Sequence, residues 1–202
     1  LQPQPTVAEW RLLAPAMRRV VASGGNVVVV GPPKSPHLPG LKYAGLDERQ
    51  LVWIQAEAPA ERLWVTEQLI KTNAAGLLVA WLPQARQEQI RRLQVCAHGC
   101  EGPAFLCRPA AAQHEPSAAP LRVELTFGVD WELHVHVLKR KGPTHEGLIT
   151  LRSVPGGLES IITPRLKTPS VLIASRKQRD EHPHVVGSPA PREPAVRRVT
   201  AH

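Results

Sequence analysis

The chain has 202 residues, 43% of them hydrophobic and 21% charged, enough for one packed domain and a tail. Lys and Arg total 25 against 17 Asp and Glu, a formal charge of +8. That balance fits an acidic partner, nucleic acid or protein, or else a solvated basic tail. No apolar run reaches the roughly 18 residues of a membrane span. The opening "LQPQPTVAEW" has neither the basic nor the apolar region of a secretory signal. Three cysteines in no repeated pattern suit a reducing compartment, so a cytoplasmic location is expected. The chain begins at Leu1 and its one methionine is Met17, which suggests a missing N-terminal segment.

The first element is a helix in "EWRLLAPAMRRVVASGG". Leu12, Leu13, Ala16, Met17, Val20 and Val21 share a face, Arg11, Arg18 and Arg19 fall off it, and Gly24 and Gly25 end it. "NVVVVGPP" reads as a buried parallel strand, apolar on both faces. A Pro/Gly-punctuated link follows, with a short helix expected near Pro39 to Ala44. "QLVWIQA" is a second strand, "APAERLWVTEQLIKTNAAG" a helix, "LLVAWL" a third strand, "ARQEQIRRLQVCAHG" a helix and "PAFLCRP" a fourth strand. Strands alternating with helices predict a mostly parallel sheet.

After Arg108 the pattern changes. "RPAAAQHEPSAAP" is a loop, and "LRVELTF" and "WELHVHVLKR" form a hairpin expected on the edge of that sheet. "LITLRSV" and, more weakly, "PSVLIAS" are further strand candidates. The fold expected is α/β: a RecA-like, mostly parallel sheet with a C-terminal antiparallel hairpin and a disordered basic tail. The core spans 1–142, an extension 143–175, and a Pro/Arg/His-rich disordered tail 176–202.

The motifs that carry chemistry are thin. "GPPKSPHLPG" places Gly31, Lys34 and Ser35 after a strand, but the spacing is wrong for a phosphate loop. Its prolines also remove N–H donors. Cys96, His98, Cys100 and Cys107 lack the tight pairs of structural zinc and read as small apolar residues. His134 and His136 share a strand face with no fuller ligand set nearby, which reads as a solvent-facing stripe. There is no nucleophile-and-base arrangement, so neither metal nor cofactor is expected. Of the five tryptophans, Trp53 and Trp64 are expected in the core. Trp81 ends a parallel strand, where α/β proteins place ligands, and either caps the core or anchors a partner, with capping favoured.

In order along the chain, "VVVVGPP", "AGLDERQLVWIQA", "RLWVTEQLIKTNAAGLLVAWLP", "RRLQVCAHG", "FLCRP" and "LRVELTF…WELHVHVLKRKGP" resemble the ImuA family, RecA-like accessory proteins of bacterial SOS mutagenesis. The likeness covers about Trp10 to Gly142. The central blocks also resemble SulA, the SOS cell-division inhibitor that binds FtsZ. SulA-like chains end soon after the block matching "FLCRP", whereas the hairpin and "LKRKG" continue here, which favours ImuA. The resemblance puts Leu77 to Leu82 in the place of RecA's Walker B strand, with Trp81 near the position of its acidic residue. The phosphate loop would fall before Leu1. It implies a non-catalytic adaptor that joins an ImuB-like inactive Y-family polymerase to an error-prone replicative polymerase, with RecA or DNA as further contacts. The alternative it implies is a SulA-like inhibitor of FtsZ. Candidate contact residues are Trp81, Arg108 and the run Lys139, Arg140 and Lys141. With Arg152, Arg165 and Lys167 that run could follow a phosphate backbone, or it could simply aid solubility.

Overall fold

The computed structural model describes residues 8–143, 145–152, 154 and 158–181. The first half is a four-stranded parallel sheet. Its strands are β1 (Val27–Val30), β2 (Leu51–Ile54), β3 (Leu77–Trp81) and β4 (Ala104–Cys107), in the order β2-β1-β3-β4. The two strands that are apolar at every position, β1 and β3, take the centre, because only there are both faces covered.

Helices cover the two faces. On one, α3 (Pro59–Lys71) and α4 (Gln87–Ala97) supply Leu63, Ile70, Ile90 and Leu93 against Val28, Val30, Leu78 and Ala80. On the other, α1 (Ala8–Ala22) lays Leu13 and Met17 on Val27, Val29, Leu77 and Val79, and Leu41 of α2 (Leu38–Tyr43) joins them. The alternation of strand and helix across residues 8–107 is thus as the apolar runs predict.

Trp53 and Trp64 are corrections. Trp53 is 41% exposed and Trp64 62%. β2 is an edge strand, and its Val52 and Trp53 are both left open. α3 turns Leu63, Thr66, Glu67 and Ile70 inward, one position away from Trp64.

The hairpin does not extend the parallel sheet. β5 (Leu121–Phe127) and β6 (Glu132–Arg140) pair with β7 (Leu148–Arg152) in a separate antiparallel sheet, β5-β6-β7. The strand read in "LITLRSV" is β7. α1 joins the two sheets: its Ala8 and Leu12 pack on Leu133, Val135, Leu125 and Ile149. The helix therefore carries two apolar stripes. Pro15 inside it lacks an N–H, so the Arg11 carbonyl loses its usual partner one turn later.

"PSVLIAS" is not a strand. It lies in α6 (Pro169–Glu181), which follows the short α5 (Pro164–Lys167). Asp130, in the β5–β6 turn, accepts from the Ser170 backbone N–H at 2.8 Å and from Ser170 Oγ at 2.6 Å, and so caps α6 from outside. α6 runs to Glu181, past Arg176 where the disordered tail was expected to begin. The rest of that expectation, 182–202, lies outside the described residues, as does the N-terminal stretch 1–7.

Candidate functional site

The carboxyl ends of parallel strands are where α/β sheets bind ligands. Here the end of β3 reads Ala80, Trp81, Leu82 and Pro83. Side chains alternate along a strand, so Trp81 turns toward α1 while Ala80 and Leu82 turn toward α3 and α4. Trp81 is 7% exposed. Its Nε1–H donates to Glu9 Oε1 at 2.9 Å, and its ring meets Trp10 at 5.7 Å between centroids, tilted by 31°. The indole is satisfied at both its polar and its apolar surfaces. Trp81 caps the core beneath the first turn of α1.

Cys107 lies beside this cluster at the end of β4. Burial, and next the Glu9 carboxylate, push its thiol well above the ordinary range. Such surroundings disfavour the thiolate form. Cys96 and Cys100 pack as apolar residues against the α3–α4 core, and the Cys100 thiol also donates to Asn73 Oδ1 at 3.3 Å. Among the described residues no three His, Cys, Asp or Glu side chains are grouped so as to hold a metal ion.

On the opposite face of β3 a cleft of about 370 Å³ opens between the starts of α3 and α4. Pro59, Arg62, Leu82, Gln84, Arg86 and Gln89 are among the residues that line it. Arg62 is tied down, with Nε donating to the Ala56 carbonyl at 2.6 Å. Its side chain lies on Gly31, whose φ of +56° and missing Cβ make the close approach possible. Among the described residues the lining includes two arginines and no carboxylate, so they offer a divalent cation no hard anionic ligand.

The other sequence candidates lie elsewhere. Arg108, after β4, is turned inward: Nη2 donates to the Ala85 carbonyl at 2.7 Å and to Glu115 Oε2 at 2.8 Å. It pins the loop after β3 to the loop before β5. Lys139 Nζ donates to the Ser117 carbonyl at 2.8 Å, while Arg140 and Lys141 are exposed at the exit of β6. Trp81 and the basic run therefore sit on different sheets. His134 Nε2 lies 3.1 Å from Glu132 Oε2, and His136 lies 3.7 Å from Glu124, so each imidazole faces a carboxylate on the polar face of the second sheet.

Reading the sequence for motifs does not single out Glu9, Trp10 or Arg11. The signal for Trp10 is present: Trp10, Leu13 and Met17 form an i, i+3, i+7 stripe. Nothing in the sequence marks Arg11, which the structure half-buries with its guanidinium 5.0 Å from the centre of the Phe127 ring.

No family model matches the chain. No curated protein matches it either. Among solved structures, the crystal structure of SulA from Pseudomonas aeruginosa is similar at 20% identity and a TM-score of 0.44, over 51% of this chain and 90% of that one. A likeness of this extent is too weak to carry a function across. No helix among the described residues is long and apolar enough to cross a membrane.

Proposed function

We propose that this chain is a non-catalytic adaptor in SOS-induced translesion DNA synthesis, which holds an ImuB-like inactive Y-family polymerase beside an error-prone replicative polymerase. RecA or DNA is a further contact. The sequential blocks that resemble ImuA from Trp10 to Gly142 suggest the pathway. The observation that carries the non-catalytic part is the end of β3. Near the place where the resemblance puts the Mg²⁺-holding acid of a nucleotide hydrolase, Trp81 is locked under α1 by Glu9 and Trp10. Among the described residues the neighbouring cleft has no carboxylate in its lining either. A fold that keeps the crevice and loses the metal holder is left with surfaces.

The test is phosphate release from ATP with Mg²⁺, with and without single-stranded DNA, on protein freed of contaminating ATPase. Release no faster than from buffer is expected. Turnover that scales with the concentration of this chain would sink the proposal.

A further inference from the structure

The second sheet has one apolar face, and α1 covers only part of it. Along β5, Leu121, Val123, Leu125 and Phe127 alternate with Arg122, Glu124 and Thr126. On β6, Leu133, Val135 and Val137 stand opposite Phe127, Leu125 and Val123. The register then slips: Arg122 pairs with Lys139 and Leu121 with Arg140. Leu138 is the extra residue, and a one-residue bulge switches which side chains share a face. Arg140, rather than Lys139, therefore lies across from Leu121 on the apolar side.

Ala8 and Leu12 of α1 cover the rows built on Leu125, Val135, Ile149 and Leu133. Beyond them Leu121 is 55% exposed and Val123 37%. At the other end Phe127 lies under Arg11. The Nε and Nη2 atoms of Arg11 are buried, and among the described residues they meet no acceptor. Burial also holds this guanidinium below its ordinary pKa. Arg11 as a whole is only half-buried, so a carboxylate brought to its solvent-facing side would offset the cost of those two unpaired N–H groups. β5 itself pairs with β6 alone among the described residues, so its outer row of N–H and C=O groups is open.

The open edge and the uncovered apolar stripe belong to β5, and Arg11 of α1 lies over its Phe127. We propose that β5 is a docking strand for an extended acidic segment of a protein partner. The segment pairs along the open edge, lays apolar side chains on Leu121 and Val123, and brings a carboxylate to Arg11. From Val123 to Phe127 is four residues, about 13 Å of strand. The partner's carboxylate is thus expected about four residues from its apolar anchor. Arg140 at the far end adds a second positive charge, which matches an acidic segment and repels a basic one. This inference rests on the adaptor reading in taking the partner to be a protein, and it names the surface and its chemistry.

The experiment selects short linear peptides from a displayed random library on the full chain, then maps hydrogen exchange with the enriched peptide. Enrichment of alternating apolar peptides with one Asp or Glu is expected, together with slower exchange at β5 amides. Arg11→Gln should weaken binding roughly thirtyfold or more, as removal of one buried charged partner does. Val123→Thr, at a half-exposed site, should weaken it with the fold intact. If Arg11→Gln fails to fold, Arg11→Lys and Val123→Thr carry the test. No acidic enrichment, or binding indifferent to these changes, overturns the proposal. So does protection of β5 by oligothymidine instead, or by a second copy of the chain at high concentration. Binding to the polymerase homologue is measured separately. If that binding is absent while acidic peptides still seat on β5, the adaptor reading fails and the docking strand stands. If it is tight and unchanged by Arg11→Gln, the reverse holds.

Discussion

Trp81 and Glu67 show how single side chains decide what this fold can do. Trp81 is buried at the end of β3 and ties that strand to α1 through Glu9. Trp81→Ala should cost about 3–5 kcal/mol of unfolding free energy, the usual range for a large aromatic lost from a core. A denaturant melt reads it, and a loss below about 1 kcal/mol would mean that the indole is not a cap. Glu67 works at the α3–α4 seam, where its carboxylate meets Lys71 Nζ at 2.8 Å and Arg92 Nη2 at 2.7 Å. The hydrogen bond from Lys71 and the charge of Arg92 hold it below its ordinary pKa, against the effect of burial. A carboxylate depressed in the folded state stabilises fully above its unfolded value of about 4.3, and that stability is lost as pH falls through the folded value. Glu67→Gln should therefore be less stable at pH 7 by about 1 kcal/mol, since both cations are half exposed and screened. The gap to the wild-type protein should close as pH drops below about 4. A pH-independent gap would show that the ion pairs contribute nothing.

Among the elements, β1 and β3 are legible in the sequence because uniform valine and leucine runs allow only a central place in a parallel sheet. α1 is half legible. Its stripe toward the parallel sheet follows a helical period, but its second stripe, Ala8 and Leu12, makes sense only once the antiparallel sheet is seen beside it. α6 was not legible. "PSVLIAS" carries the β-branched Val171 and Ile173, and the cap that starts the helix is Asp130, 40 residues earlier in the chain. Local propensity loses to that tertiary contact. Trp131 reinforces it, with Nε1 donating to the Leu166 carbonyl at 2.9 Å. Asp130→Ala should loosen α6 and speed proteolytic cleavage after β7 while the parallel sheet keeps its melting profile. An unchanged cleavage pattern would mean that α6 is held by something else.

At the scale of the whole molecule, two sheets share one helix. The parallel sheet ends in Trp81 on its α1 side and in a cleft whose lining includes two arginines on the other. Among the described residues the antiparallel sheet carries the open strand β5, and Arg11 of α1 lies over its Phe127. The sequence made the first sheet readable, since its order follows from apolar runs. It hid the second as a separate layer, because strand pairing is set by neighbours that periodicity does not name. Nor could it show that Trp81 and the Lys139–Arg140–Lys141 run belong to different sheets. The central claim is that this chain binds the ImuB-like polymerase without turning over nucleotide. Titration calorimetry of the full chain against that polymerase homologue, in the absence of ATP, tests it most directly. A saturable complex whose affinity does not change on adding ATP and Mg²⁺ is predicted. No complex with it, alongside a saturable complex with FtsZ, would contradict the claim.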